Sequence, residues 1–341
     1  MRHVNIPIFI PHLGCPNQCV FCNQRSISGL REFDPLDVVS IIDRALSTIS
    51  VDDEAEIAFF GGSFTGIDRE LMISLLKIAE GYVRDGRVKS IRCSTRPDYI
   101  DEEIIDILKK YSVRTIELGL QSSSDIVLEK SKRGHNFEAE RQGCRLIVES
   151  GIQLIGQMMI GLPDSDSLSE LETARFIVDC GAVGARIYPT IVFRDTELCS
   201  MTEAGEYTPL TLDEAIIRSA AVLEVFISGG VEVIRIGLQA SENLSDPNCF
   251  VAGPNHAALG ELVIGEVYYN KILKALSDIN LSENENITVC VCRGALSKAI
   301  GQNGRNKLRL KEKYKNIRFD EAEGISEWEI SLIYNGETKC I

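Results

Sequence analysis

Residues 11–24 read PHLGCPNQCVFCNQ. Cys15, Cys19 and Cys22 are spaced Cys-x-x-x-Cys-x-x-Cys there, directly after a strand-like run, NIPIFI (5–10). Thiolates are the preferred ligands of iron–sulfur clusters, and a four-iron cluster normally takes four of them. Three supplied by one tight loop leave one iron open to a reactant. A zinc knuckle would need a fourth Cys or His, usually as two paired ligands, and His12 is the group at hand. Three unconnected buried thiols are the remaining reading. Phe21, the aromatic residue just before the third cysteine, marks the loop further.

Downstream, short apolar runs alternate with segments of helical periodicity. Strands are expected at EIAFFGG (56–62), VKSIRCS (88–94), TIELGLQ (115–121), IQLIGQMMIGLP (152–163) and VGARIYPT (183–190). Helices are expected at 36–49, 71–83, 101–111, 124–131, 137–150 and 168–180, the first announced by Asp34-Pro35. With the first strand this makes six βα units, the pattern of a parallel α/β architecture. Periodicity alone does not separate a partial barrel from a doubly wound sheet. In either, ligands meet the carboxyl ends of the strands. Those ends carry Gly61, Gly62, Ser63 and Thr65, then Ser94 with Thr95 and Arg96, Glu117 and Gln121, Gln157, and Arg186 with Tyr188. Paired glycines let a backbone approach a ligand, and hydroxyls and amides supply its hydrogen bonds. Arg133 in KRGH (132–135) is a further candidate, and His135 beside it reads as a structural hydrogen-bonder.

The cysteine loop after a first strand, with its Phe21, resembles the radical SAM superfamily. The runs FFGGSFTG, STRPDYI, ELGLQSSSDIVLEKSKRGH, GQMMIGLPDS and ARIYPTIVFRDTEL narrow the resemblance to the radical SAM part of the Elongator catalytic subunit and its bacterial relatives, over roughly residues 5 to 200. The resemblance implies an open (β/α)6 partial barrel. It implies a [4Fe–4S] cluster on Cys15, Cys19 and Cys22, with S-adenosylmethionine (SAM) on the open iron. Gly61, Gly62 and Ser63 would meet its methionine end, and Gln121, Arg133 and Gln157 would lie along it, with Phe21, Thr65, Ser94 and Tyr188 as further contacts. There are two departures. Ser94 stands where the Elongator-type pattern has a glutamate, and the chain is expected to lack the acetyltransferase domain of those enzymes. Oxygen-independent coproporphyrinogen oxidases share the layout but fewer of these words.

Composition sets the surroundings. Hydrophobic residues make up 44% and charged residues 25%, ordinary for a soluble globular protein. No apolar run is long enough to span a membrane. Eleven cysteines without a secretion signal fit a reducing cytoplasm. The net charge of −14 argues against nucleic acid, but its distribution does not. Residues 293–318 hold nine Lys or Arg and one acid, Glu312, so the window carries +8 and the remainder −22 (−14 minus 8). In that window GALSKAIG, GQNG (301–304) and RNKLRLKEKY read as helix, turn and basic helix between strands 287–292 and KNIRF. This is the KH arrangement, whose GxxG loop clamps single-stranded nucleotides. Gly301, Gln302, Asn303, Gly304, Arg305, Lys307 and Arg309 are the candidate RNA contacts. The helix after the turn would offer its N-terminus to a phosphate.

The expected organisation is a core barrel over 1–205, a barrel-covering extension over 206–284 with a helix from 211, a strand at 231–239 and an exposed His256, and a KH-like subdomain over 285–341. The expected activity is radical SAM modification of RNA, with a tRNA base as the target. Its partners would be a flavodoxin-, ferredoxin- or reductase-type electron donor and a separate acyl- or sulfur-donor protein. The rivals are a radical SAM enzyme acting on a small metabolite such as a porphyrin, a non-enzymatic iron–sulfur RNA-binding protein, and a zinc RNA-binding module.

Overall fold

The computed structural model describes residues 3–10, 13–15, 19–23, 33–50, 52–238, 246, 249–279, 285–335 and 337–340. The chain forms two compact units. The first comprises 1–210 and 229–255, the second 211–228 and 256–341. The segment 206–284, expected as one extension, is therefore shared between them.

The first unit is a curled, partial-barrel parallel sheet. Its strands are β1 (His3–Ile10), β2 (Glu54–Gly61), β3 (Ser90–Thr95), β4 (Val113–Gln121), β5 (Gln153–Ile160), β6 (Gly184–Pro189) and β8 (Glu232–Ile236), paired in that order. A short hairpin of β7 (Val192–Phe193) and β9 (Phe250–Ala252) stands apart. The six expected strands are all present. The run at 231–239 supplies a seventh, pairing with β6 and extending the sheet beyond six βα units.

The connecting helices are α1 (Val38–Leu46), α2 (Arg69–Arg84), α3 (Glu102–Lys110), α4 (Asp125–Lys130), α5 (Phe137–Glu149) and α6 (Ser167–Asp179), with α7 (Glu197–Glu203) after the hairpin strand. Side-chain caps start several of them. Asp68, Asp101, Asn136 and Asp166 each accept a hydrogen bond from the first-turn backbone, satisfying an N–H that the helix leaves orphaned. In α3, acids in the first turn and lysines in the last complement the helix dipole.

Alternation gives the sheet two unlike faces. One holds Ile57, Phe59, Ile91, Cys93, Ile116, Leu118, Met158 and Ile187, all fully buried. The other holds Glu56, Arg92, Glu117, Gln157 and Arg186, polar groups at alternate positions of successive strands.

The second unit contains α8 (Leu212–Ser228), α9 (Leu259–Ser277), α10 (Leu296–Ile300), α11 (Arg305–Lys311) and a four-stranded sheet in the order β11 (Asn316–Glu321), β10 (Asn286–Val291), β12 (Ile330–Tyr334), β13 (Glu337–Cys340). β10 runs parallel to β11 and antiparallel to β12. The β10–α10–turn–α11–β11 run is the order read from the sequence. Its core joins Tyr268 and Ile272 of α9 to Val289, Ala299, Leu310, Ile317 and Leu332. Trp328 stacks over Tyr268 at 5.6 Å.

Candidate active site

The cysteine loop leaves β1 and is pinned at both ends. On its first side the backbone N–H groups of Gly62 and Ser63 donate to the carbonyls of Ile10 and Leu13, at 2.8 and 3.0 Å. No side chain fits between these strands of backbone. A Cβ on Gly62 would sit 1.9 Å from the Leu13 oxygen, and one on Gly14 2.1 Å from the Ser63 oxygen. The double glycine after β2 therefore holds the entry of the cysteine loop against its own turn. On the far side Val20 is buried with Val192, Leu198 and Met201, and Phe21 packs on the same cluster. Val20 also donates its N–H to Ser131 and accepts from Leu198.

Cys19 is buried, Cys15 and Cys22 partly so. Arg133 Nη1 lies 3.3 Å from Cys19 Sγ, while its Nη2 donates to the Gly119 carbonyl. Burial pushes the Cys15 thiol up, with Arg96 and Arg133 pulling the other way. Arg96 is fixed by two hydrogen bonds to Asp98 of 2.9 Å each, and it also reaches the Arg133 carbonyl and His135 Nδ1. His135 bonds Glu140 through Nε2 at 3.0 Å. Burial, then the nearby Arg133, lowers the imidazole pKa to about 3, so the ring is neutral and accepts at Nδ1. Burial also lifts Glu140 well above the carboxylate range. His135 is thus a buried brace for Arg96, in line with the structural role read from the sequence.

The hydroxyls expected to face a ligand are turned inward. Ser63 and Thr65 both bond the Thr95 hydroxyl, at 2.8 and 2.6 Å, and Thr65 also donates to the Tyr99 carbonyl. Ser63 is fully buried. Neither side chain is available to a ligand here, and the turn's contribution is its backbone. Gln121 behaves differently. It sits at the end of β4 with φ +74°, and its buried Oε1 has no hydrogen-bond partner. A buried amide oxygen without a partner at the carboxyl end of the sheet has spare hydrogen-bonding capacity where ligands meet such folds.

Across the middle of the sheet runs an ionic ladder that the sequence reading only partly collected. Glu56 accepts from Ser90 and from Arg92 Nε, both at 2.7 Å. Arg92 Nη1 then reaches Glu117 Oε1 at 3.0 Å. Glu117 also takes two bonds from Arg186, of 2.8 and 2.9 Å, and one from Gln157 at 2.8 Å. Glu117 is only 1% exposed. Burial alone would raise its pKa, but Arg186 and Arg92 outweigh it and hold the carboxyl below its usual range. Gln157, expected along SAM, is thereby committed to the ladder through its amide nitrogen. Tyr188 adjoins Arg186, and burial raises its phenol. Ser94 lies half-buried on the same face, in register with Glu117.

Three thiols on one loop, a guanidinium on one of them and an orphaned amide oxygen form a donor set that fits a [4Fe–4S] cluster with a small chelating ligand. Among the described residues, no group of three or more His, Cys, Asp or Glu side chains is arranged to hold a metal ion. His12, weighed as a zinc ligand, lies outside the described residues.

A Radical SAM superfamily model matches residues 9–177, and a radical SAM C-terminal domain model matches 182–269. The chain belongs to the radical SAM superfamily. The cofactors of radical SAM proteins are a [4Fe–4S] cluster and SAM. The chain is 32% identical over 157 residues to the tRNA uridine(34) acetyltransferase of Methanocaldococcus jannaschii, a stretch covering 45% of this chain and 29% of that protein. It is 27% identical over 177 residues to Elongator complex protein 3 of Schizosaccharomyces pombe, covering 49% and 31%. The match thus spans less than a third of each of these relatives. The archaeal Elp3 of Methanocaldococcus infernus superposes with a TM-score of 0.62 at 22% identity, over 84% of this chain and 70% of that one, which establishes the shared fold. No helix among the described residues is long and apolar enough to cross a membrane.

In the second unit the GQNG turn is a short 3-10 segment between α10 and α11. Gly301 has φ +78°, and a Cβ there would lie 2.9 Å from Asn306 Cγ. Asn306 is buried and ties the turn to α9 by donating to the Gly265 carbonyl at 2.7 Å. Gly304 has φ +76° with no atom near its Cβ position, so only this glycine presents open backbone. Two of the expected phosphate ligands are already paired. Arg305 bonds Asp213 at 2.8 Å. Arg309 grips the buried Glu266 with both terminal nitrogens and lies 3.5 Å over the Tyr269 ring. Arg309 is therefore an anchor between α11 and α9, not a free cation. Lys307 is half-buried on α11. With seven residues, α11 is too short to offer the N-terminal anion site expected of it.

Proposed function

We propose that the chain is a radical SAM enzyme that modifies RNA, with a tRNA base as its substrate. The observation that carries this reading is the likeness of the radical SAM region to a tRNA uridine(34) acetyltransferase, with a helix–GxxG–helix between paired strands in the second unit. Cys15, Cys19 and Cys22 hold the cluster, and the backbone of Gly61, Gly62 and Ser63 meets the methionine end of SAM. When bound, cluster and SAM together supply a 5′-deoxyadenosyl radical by one-electron reductive cleavage. The chain's own residues set the stage for it. Gln121 offers its amide oxygen to SAM, Phe21 closes the apolar side of the loop, and Arg133 holds Cys19. Thr65 supports the turn from beneath, while Ser94 and Tyr188 face the same side of the sheet as the ladder. Glu117, Arg92 and Arg186 keep that floor rigid. The GQNG turn, Arg305 and Lys307 receive the RNA strand. An electron donor of flavodoxin or ferredoxin type and a separate acyl- or sulfur-donor protein complete the system.

The test is 5′-deoxyadenosine release from anaerobically reconstituted protein, given SAM and a strong reductant, with and without bulk tRNA. Release should rise severalfold with tRNA and vanish in Cys19→Ala. Release indifferent to tRNA would sink the RNA assignment and favour a metabolite substrate.

A further inference from the structure

The GQNG turn borders an open cleft of about 480 Å3 that lies wholly within the second unit. Its walls are the first residue of α8, the stretch 256–262 that opens α9, and the turn with α11. That volume is in the range of small-ligand sites. Its lining mixes apolar and polar side chains. Leu212, Leu262 and Leu308 line it, and Leu308 is 64% exposed while its helix buries Asn306 and Leu310 instead. A single exposed leucine is ordinary on a protein surface. One that lines a cleft gives that cleft an apolar contact surface.

The rim carries unengaged polar groups. The side chains of Gln302, Asn303 and Glu312 make no hydrogen bond or ion pair among the described residues. His256 Nδ1 accepts the Ala258 N–H at 3.1 Å, which places the proton of the neutral ring on Nε2 and leaves a donor there for another partner. Donors, amide oxygens and one carboxylate thus share the cleft with three leucines. The two arginines at the cleft differ in kind. Arg309 is locked by Glu266 and Tyr269 and forms fixed wall. Arg305 pairs with Asp213, which is 70% exposed, and so water-exposed a pair is weak enough to be exchanged for a phosphate.

We infer that this cleft holds one unstacked nucleotide of a single-stranded RNA. Its base lies against the leucines, its edge meets Gln302, Asn303, His256 and Glu312, and its phosphate sits between Arg305 and the open face of Gly304. Single-strand readers combine a face for the base, groups for its edge and cations for the backbone, and all three converge here. The net +8 of residues 293–318 on an acidic chain favours an anionic polymer over a protein partner. The inference rests on the RNA reading above and specifies where that RNA is gripped.

The experiment is fluorescence anisotropy of the full chain with a short labelled single-stranded RNA, the same RNA as a duplex, and free mononucleotides as competitors. Leu308→Ser and His256→Ala alter exposed groups, and the emission of Trp328 reports whether the second unit remains folded. Each should weaken single-strand binding severalfold, Leu308→Ser by removing an apolar contact to the base and His256→Ala by removing a donor to its edge. Neither should change the salt dependence, whereas Lys307→Ala should lower the salt slope by about one. Single-strand affinity unchanged in both folded variants would overturn the cleft while leaving RNA binding intact. No RNA binding by the parent protein would overturn the cleft and the RNA reading together. Mononucleotides that compete as well as the strand would overturn the polymer assignment.

Discussion

Glu117→Gln tests whether the ladder inside the sheet is what keeps the first unit rigid. The carboxylate is all but fully buried and accepts two bonds from Arg186, one from Arg92 and one from Gln157. The amide keeps the shape but removes the charge, and its nitrogen then faces guanidinium donors. Arg92 retains Glu56, whereas Arg186 loses its carboxylate partner. Breaking a buried pair from one side costs about 3–5 kcal/mol, because a charge is left uncompensated in a poorly polarisable interior. For a unit of this size that is a fall in Tm on the order of 10 °C. Thermal and urea unfolding followed by far-UV circular dichroism measure it. Adding Arg186→Gln to the same chain removes the bare charge and should restore a good part of the loss. The pH dependence has a fixed sign. The folded pKa of Glu117 lies below the unfolded value, so its stabilisation is present above the ordinary carboxylate range and lost as the pH falls through the folded pKa. Glu117→Gln should flatten that acid limb. A loss below about 1 kcal/mol, or a double variant less stable than the single one, would refute the reasoning.

Four further outcomes are expected. The His135 ring stays neutral down to about pH 3 in the folded chain, while the unfolded chain takes up its proton near 6.5; stability should therefore decline as the pH falls through that window, and His135→Asn should flatten the slope in urea titrations. Glu140 has the opposite sign, its folded pKa being raised, so Glu140→Gln should stabilise the chain increasingly as the pH rises above the carboxylate range. Gly62→Ala drives a Cβ into the Leu13 carbonyl, so the iron bound per chain should fall severalfold while the circular dichroism stays native; full iron loading would remove the role given to this turn. Gly301→Ala, which adds a clash with Asn306 to a left-handed φ, should destabilise the second unit by more than Gly304→Ala, for which strain of about 1–2 kcal/mol is the whole effect, as read by Trp328 fluorescence.

Much of this was legible in the chain because it is local. Strand and helix alternation follows from periodicity, and the cysteine spacing carries its own chemistry. The seventh strand was visible as a strand but not as a neighbour of β6. Sheet membership depends on pairing across a long helical connection, which periodicity does not encode. The ladder also leaves a trace in the sequence. Glu56, Arg92, Glu117 and Arg186 each place one charge at an alternate position of a buried strand, and their signs alternate along the sheet. A buried charge needs a partner, and opposite signs on strands one or two apart in the sheet name it. The fates of Ser63 and Thr65 had no such trace. Whether a hydroxyl faces a ligand or a neighbouring loop is decided by Thr95, some thirty residues away. The same holds for Arg309, whose partner Glu266 lies on another helix.

The first unit thus contains two polar systems with different work to do. The ladder pairs two acids with two arginines, so its charges cancel and it projects little field beyond itself. Rigid, self-neutral networks of this kind can sit beneath a reacting centre without selecting what binds above them. The groups beside the cysteine loop form a separate set, in which Arg96 is paired with Asp98. Arg133 reaches Cys19 directly, and Arg96 is oriented by Asp98 and His135 beside Cys15. Here positive charge is delivered to sulfur in a chain that is otherwise strongly acidic. Electrostatic preorganisation of this sort acts where charge sits or develops, and it is independent of the floor that supports it. Changes in the ladder should consequently register in unfolding more than in iron binding, and changes at Arg133 in the reverse order. The division explains how a sheet can carry so many buried charges while the arginines nearest the cysteine loop remain a separate set.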